Sequence, residues 1–94
     1  MDHIHLDLQN RFAIFVEEVS KKFYVIIMLI SKRLGTNIKK IRTIKKMSQG
    51  DTCRSLNMDR GYMSAIENGK KNITISQLER LAQALGVSVD KLLK

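Results

Sequence analysis

Apolar residues recur along the first third of the chain at Ile4, Leu8, Phe12, Phe15, Val19, Phe23, Ile26 and Ile30, in steps of 4, 4, 3, 4, 4, 3 and 4. Steps of three and four bring side chains onto one face of a helix. The spacing is heptad-like and predicts one long amphipathic helix, or two shorter ones, over residues 4–31. Asp7–Arg11, Glu17–Lys21 and Glu18–Lys22 stand four apart with the acid first, the order that supports a helix. Inside this region "FYVIIMLI", residues 23–30, is apolar all round. Its β-branched and aromatic content leaves a strand as the competing reading. It falls far short of the roughly 20 residues that cross a bilayer. Such a segment needs cover, from the rest of the chain or from a second copy.

Gly35 marks a break in this pattern, and a new helix is expected over residues 36–46. Ile38, Ile41 and Ile44 line one face of it, and Lys39, Lys40, Arg42, Lys45 and Lys46 cover the rest. Ser48 and Asp51 form a capping box that opens a short helix over about 49–56, which Asn57 can end in the left-handed conformation. Asp59 caps a helix over about 60–68, closed by Gly69. After the loop "KKNI", Thr74 and Gln77 form a second capping box for a helix over 75–85. Its apolar stripe is Leu78, Leu81, Ala82 and Leu85, and Gly86 ends it. Ser88 caps a last short helix, with Val87 and Leu92 placed for a hydrophobic staple. The expected fold class is all-α. Five short helices occupy about the last sixty residues.

Composition agrees, because the 94 residues include no proline and no tryptophan. Charge divides the chain. Residues 1–33 hold five Lys/Arg against four Asp/Glu, and residues 34–94 hold twelve against five. The basic excess sits in the second part and suits a phosphate backbone or an anionic surface. The domain boundary is therefore placed at 33/34: an extension over 1–33 for packing or dimerisation, and a compact domain over 34–94. Cys53 is alone, so no disulfide framework or cysteine-paired zinc site is expected. Asp2 and Asp7 spoil a secretory n-region, which with the lone cysteine points to the cytoplasm.

No nucleophile–base pair, paired carboxylates or phosphate loop is evident, so no catalytic residues, cofactor or metal are expected. Two helices joined by a short polar turn are a helix-turn-helix. A helix with its side chains is about as wide as the DNA major groove, so the second can enter it while the first lies across the backbone. Arg60, Tyr62 and Ser64, at the start of the second helix, carry groups suited to base edges. Met63 and Ile66 point inward. Gln49 is placed for a phosphate, and Asn68, Lys70, Lys71 and Asn72 for the flanking backbone.

The run Gly35-x-x-Ile38-x-x-Ile41-Arg42, Met47-Ser48-Gln49, Leu56, Met58-Asp59-Arg60, Tyr62-Met63-Ser64-x-Ile66-Glu67-x-Gly69 and Leu78-x-x-Leu81-Ala82-x-Ala84-Leu85-Gly86-Val87 resembles the Cro/repressor-type (XRE) helix-turn-helix family. The segment "MDRGYMSAIENGKKNITISQLE" is most similar to controller proteins of restriction–modification systems. The resemblance covers residues 35–93. It implies a five-helix lambda-repressor-like domain that binds a pseudo-palindromic operator in double-stranded DNA as a homodimer and regulates transcription, with RNA polymerase as a further candidate partner. It implies base reading by Arg60, Gly61, Tyr62 and Ser64, with phosphates held by Gln49, Asn68, Lys70, Lys71 and Asn72. Gly61 stands where controllers commonly have threonine, and Thr52–Cys53 replace a leucine–alanine pair. Residues 1–33 have no counterpart in the short controllers.

Two recognition helices of a dimer would lie about 34 Å apart in successive major grooves. Val89, Leu92 and Leu93, the extension, or both are the candidate dimer surfaces, and the extension could swap between protomers. The alternative function is an antitoxin-type interaction module whose extension wraps a protein partner. Simpler roles are expected elsewhere. Cys53 is a small core residue, Glu67 pairs with Arg60 or Arg42, the methionines fill the core, and His3 and His5 are terminal residues rather than ligands. Lys39, Lys40, Lys45 and Lys46 are a solvated face or a DNA contact.

Overall fold

The computed structural model describes the chain from Asp2 to Lys94, with side chains from Gln9 onward. His3 and His5 therefore lie outside the described side chains. The described residues form helices α1 (Asp2–Ile44), α2 (Gln49–Leu56), α3 (Arg60–Glu67), α4 (Ile75–Leu85) and α5 (Val89–Leu93), with no strand among them. Residues 23–30 are helical rather than extended. A lone strand would have no partner for its N–H and C=O groups, whereas a helix satisfies its own.

Gly35 does not break the first helix, which continues through it for 43 residues in all. An interior glycine weakens a helix by about 1 kcal/mol relative to alanine. The reason for glycine lies across the interface. A Cβ there would sit 2.3 Å from the carbonyl oxygen of Ile66 and 2.6 Å from that of Glu67. The missing side chain lets α1 lie directly against the last turn of α3. The pattern signal at Gly35 was thus a close crossing, not a terminus.

The real end of α1 is at Ile44, where Lys46 takes a left-handed φ of 56° and Met47 N–H donates to the Arg42 carbonyl at 2.9 Å. Ser48 and Asp51 form the expected capping box on α2, and Asn57 ends it at φ 52°. Thr74 and Gln77 do the same for α4. Ser88 occupies the N-cap of α5 but makes no side-chain cap bond.

Leu34 and Ile38 from α1 meet Cys53, Leu56, Met63, Ile66, Leu81, Ala82, Leu85 and Leu92 in one core. Ile41 packs at its edge, while Ile44 is 69% exposed and lies outside it. Three side chains tie helix ends together. Arg80 Nη2 donates to the Leu56 carbonyl at 2.8 Å, Lys45 Nζ to that of Leu85 at 2.6 Å, and Asn37 Nδ2 to that of Leu92 at 2.9 Å. Each satisfies a C-terminal carbonyl that its own helix leaves unpaired.

Ser31 is the last buried residue toward the N-terminus of α1, and its Oγ donates to Asn72 Oδ1 at 2.8 Å. Between Gln9 and Ile30 every residue is exposed except Val19, which is half-buried. The molecule measures 67 × 24 × 19 Å. At about 1.5 Å per residue α1 alone accounts for the long dimension. The bundle thus carries a projecting helical arm.

Candidate nucleic-acid interface

Asp59 opens α3 from an extended conformation, its carboxylate accepting the Tyr62 N–H at 3.3 Å. Successive residues turn by about 100° around the helix. Met63, Ile66 and Glu67 share the buried face. Opposite them lie Gly61, Ser64, Ala65 and Asn68. Gly61 and Asn68 are exposed, and Ser64 and Ala65 half-buried. This outward face is small and polar, so another surface can approach the helix closely. Arg60 and Tyr62 stand on its two flanks.

Arg60 is exposed and leans toward α2. A Cβ on Gly50 would be 3.1 Å from its Nη2 and 3.4 Å from Arg54 Nη1, so two guanidiniums converge over the start of α2. They border an open cleft of about 630 Å³ between α2 and α3, which Asn57 and Asp59 also line. Tyr62 leans the other way and packs on the core edge. Its hydroxyl donates to Gln77 Oε1 at 3.4 Å, and Lys71 Nζ lies 5.8 Å from its ring centroid. Tyr62 therefore stands beside the tip of α3, not on it. Ala65 is the outward-facing residue that the motif analysis passed over. Its position one turn after Gly61 was the available signal.

Glu67 is what fixes the pitch of α3. Its side chain is 3% exposed and faces Arg42, with Nε to Oε2 at 2.8 Å and Nη2 to Oε1 at 3.1 Å. Arg42, not Arg60, is thus its partner. Arg42 Nη1 also donates to the Met47 carbonyl at 2.9 Å. The hydrogen bond to Glu67 raises the Arg42 pKa above its ordinary value, against the opposing effect of burial. Such a bidentate, charge-assisted pair fixes orientation as well as distance.

Gln49 completes the cluster by donating Nε2 to Glu67 Oε1 at 3.0 Å. The amide has a second N–H, so the contact anchors Gln49 at the start of α2 without using all of its donors. The capping box uses the N–H groups of Ser48 and Asp51 and leaves that of Gln49 at the start of α2, Gly50 being buried. Free N–H groups at a helix start suit an anion.

The other predicted phosphate residues follow α3. Asn68, Lys70, Lys71 and Asn72 are exposed, though Asn72 gives its carbonyl oxygen to Ser31. Lys45 holds the end of α4, while Lys39, Lys40 and Lys46 remain exposed. Leu92, expected at a dimer surface, is fully buried in its own core. Only Leu93, 43% exposed, and half-buried Val89 of that trio reach the surface. Cys53 is buried, as expected. Among the described residues no cluster of three or more metal-ligating side chains occurs, and no helix is long and apolar enough to cross a membrane.

The helix-turn-helix family model matches residues 38–92. The control protein C.MunI of Mycoplasma sp. is 38% identical over 64 residues, spanning 67% of this chain and 86% of its own. Among solved structures, the hypothetical transcription factor NHTF from Neisseria is 37% identical, with a TM-score of 0.65 over 69% of this chain and 75% of that one. The restriction–modification controller protein C.Esp1396I, solved as a tetramer in complex with its natural 35 base-pair operator, is 36% identical. Its TM-score is 0.59 over 69% of this chain and 96% of that one.

Proposed function

Given that this chain belongs to the helix-turn-helix family, we propose that it is a sequence-specific regulator of transcription that binds a pseudo-palindromic operator in double-stranded DNA as a dimer. Its action is regulatory rather than catalytic, and its place is the cytoplasm, where RNA polymerase is a candidate partner. The observation that carries the reading is the outward face of α3. Gly61, Ser64, Ala65 and Asn68 leave it small and polar, and the Arg42–Glu67–Gln49 cluster holds it at a set angle to α1 and α2. The likeness to a controller solved on its operator supports the same reading.

In this arrangement α3 enters the major groove. Arg60 swings from the α2 cleft to meet guanine O6 and N7 with two hydrogen bonds. Ser64 and Asn68 offer polar groups further along, and Ala65 suits a thymine methyl. Gly61 adds no side chain, so the helix backbone comes close to the base edges. Tyr62, held by Gln77, positions the strand beside the helix. Backbone phosphates meet Gln49 at the start of α2, together with Arg54, Lys70 and Lys71. Leu93 and Val89 lie on the dimer surface.

The test is selection of bound sites from random duplexes, then titration of the chosen site by fluorescence anisotropy. Arg60→Ala should weaken the chosen site and flatten preference among its base-pair variants, by about 1–3 kcal/mol at the guanine position. Unchanged preference with uniformly weaker binding would contradict the base-reading role.

A further inference from the structure

Gly50 is the second residue of α2 and is buried, although glycine is a poor helix former. What covers it is charge. A Cβ built there would lie 3.1 Å from Arg60 Nη2, 3.5 Å from Arg60 Cζ and 3.4 Å from Arg54 Nη1. The Arg60 guanidinium therefore rests close over bare helix backbone, in space that a larger residue would fill. The two nitrogens stand 3.1 and 3.4 Å from one point, a spacing that the oxygens of one phosphate can span with bonds of about 2.8 Å each.

The two charges are unequally answered. Arg54 Nη2 reaches Asp51 Oδ1 along α2. Asp59, which also lines the cleft, gives its carboxylate to the Tyr62 N–H at the start of α3. Among the described residues Arg60 has neither an ion pair nor a hydrogen bond. Arg42, by contrast, is paired through two nitrogens with Glu67. Two cations drawn together over one glycine repel each other unless an anion joins them. The positive end of the α2 dipole, at the same place, favours that anion further.

We propose that Arg54 and Arg60 hold one phosphate of the DNA backbone between them in the α2–α3 cleft, with Gly50 as the seat that admits the Arg60 guanidinium. The proposal rests on the reading of α3 as the groove helix and goes further. A phosphate is present at every step of a duplex, whereas guanine is not. On DNA of arbitrary sequence Arg60 stays beside Arg54 on the phosphate. On the operator it leaves the seat for guanine O6 and N7, and Arg54 keeps the phosphate alone. Gly50 is thus a positioning residue. It sets how tightly other sequences are held, and with that the ratio by which the operator stands out.

Fluorescence anisotropy on a random duplex and on the selected operator, at one low salt concentration, tests this. On the random duplex Arg54→Ala and Arg60→Ala should each lose roughly tenfold in affinity. The double variant should lose far less than the product of the two, because a phosphate shared by two side chains is loosened when either goes. Gly50→Val fills the seat and alters no charge, and the nearest atoms it meets are the ends of flexible side chains. It should weaken the random duplex as Arg60→Ala does, weaken the operator less, and add little to an Arg60→Ala protein. Losses that multiply in the double arginine variant overturn the shared phosphate. Random-duplex affinity unmoved by Gly50→Val overturns the seat. Should Gly50→Val lower the thermal midpoint, the arginine cycle decides alone, since both arginines are exposed. Failure of the wild-type chain to bind any duplex overturns the groove reading and this proposal together. Normal duplex binding with the contrary results strikes this proposal only.

Discussion

Removing Arg42 should be among the most damaging single changes in the bundle. The Glu67 side chain is 3% exposed and receives two hydrogen bonds from Arg42 and one from Gln49. Arg42→Ala leaves that carboxylate buried with only the Gln49 amide and strips the Met47 carbonyl of a donor. Breaking one side of a buried pair typically destabilises by about 3–5 kcal/mol, because an uncompensated charge stays inside. A domain of this size holds about 5–15 kcal/mol in total. At roughly 4–8 °C per kcal/mol, the midpoint should fall by about 12–40 °C. Urea denaturation of Arg42→Ala, Arg42→Met, Glu67→Met and the double variant Arg42→Met with Glu67→Met measures the effect and the coupling. Because the double variant removes both charges and keeps apolar volume, it should recover most of the stability lost in either single variant. It should not recover DNA affinity, since the pitch of α3 is then unguided. A loss under about 1 kcal/mol in Arg42→Ala would place the pair with ordinary surface ion pairs and refute the reasoning.

Other outcomes follow from single residues. Gly35→Ala should destabilise by about 1–3 kcal/mol, because its Cβ meets backbone atoms that cannot rotate away; a higher melting temperature, the usual result in a helix interior, would refute the close crossing. Asp51 has its pKa lowered first by the Ser48 backbone N–H and then by the Ser48 hydroxyl, with smaller help from Arg54. A depressed carboxylate contributes above the ordinary aspartate range and loses that contribution as pH falls through its lowered value. Stability should therefore drop on acidification below about pH 4, and Asp51→Asn should flatten that part of the profile in thermal melts. Lys70→Ala should weaken all duplexes alike and make the slope of log affinity against log salt shallower by about one unit; a change confined to one operator would contradict phosphate binding.

How far the chain could be read without coordinates depends on the range of the interaction involved. Capping boxes at Ser48–Asp51 and Thr74–Gln77 are local chemistry, closed within four residues, and their helices begin where that chemistry puts them. The core stripe Leu81, Ala82 and Leu85 follows from helical period alone. Gly35 failed for the opposite reason. The same missing Cβ serves a helix terminus and a helix crossing, and only the position of Ile66 and Glu67, thirty residues on, tells them apart. The surroundings of Gln49 and Leu92 were hidden likewise. An exposed amide and one turned to a buried carboxylate have identical sequence signatures, and a leucine in a five-residue helix can face in or out. At the interface the residue types of α3 were legible, but their division into tip and flank was not. That division depends on Glu67 locking to Arg42 and Tyr62 to Gln77, contacts across 25 and 15 residues. The arm inverts the pattern. Its apolar period is plain in the sequence, yet none of the described residues outside the helix covers residues 9–30, so periodicity alone does not say what they pack against.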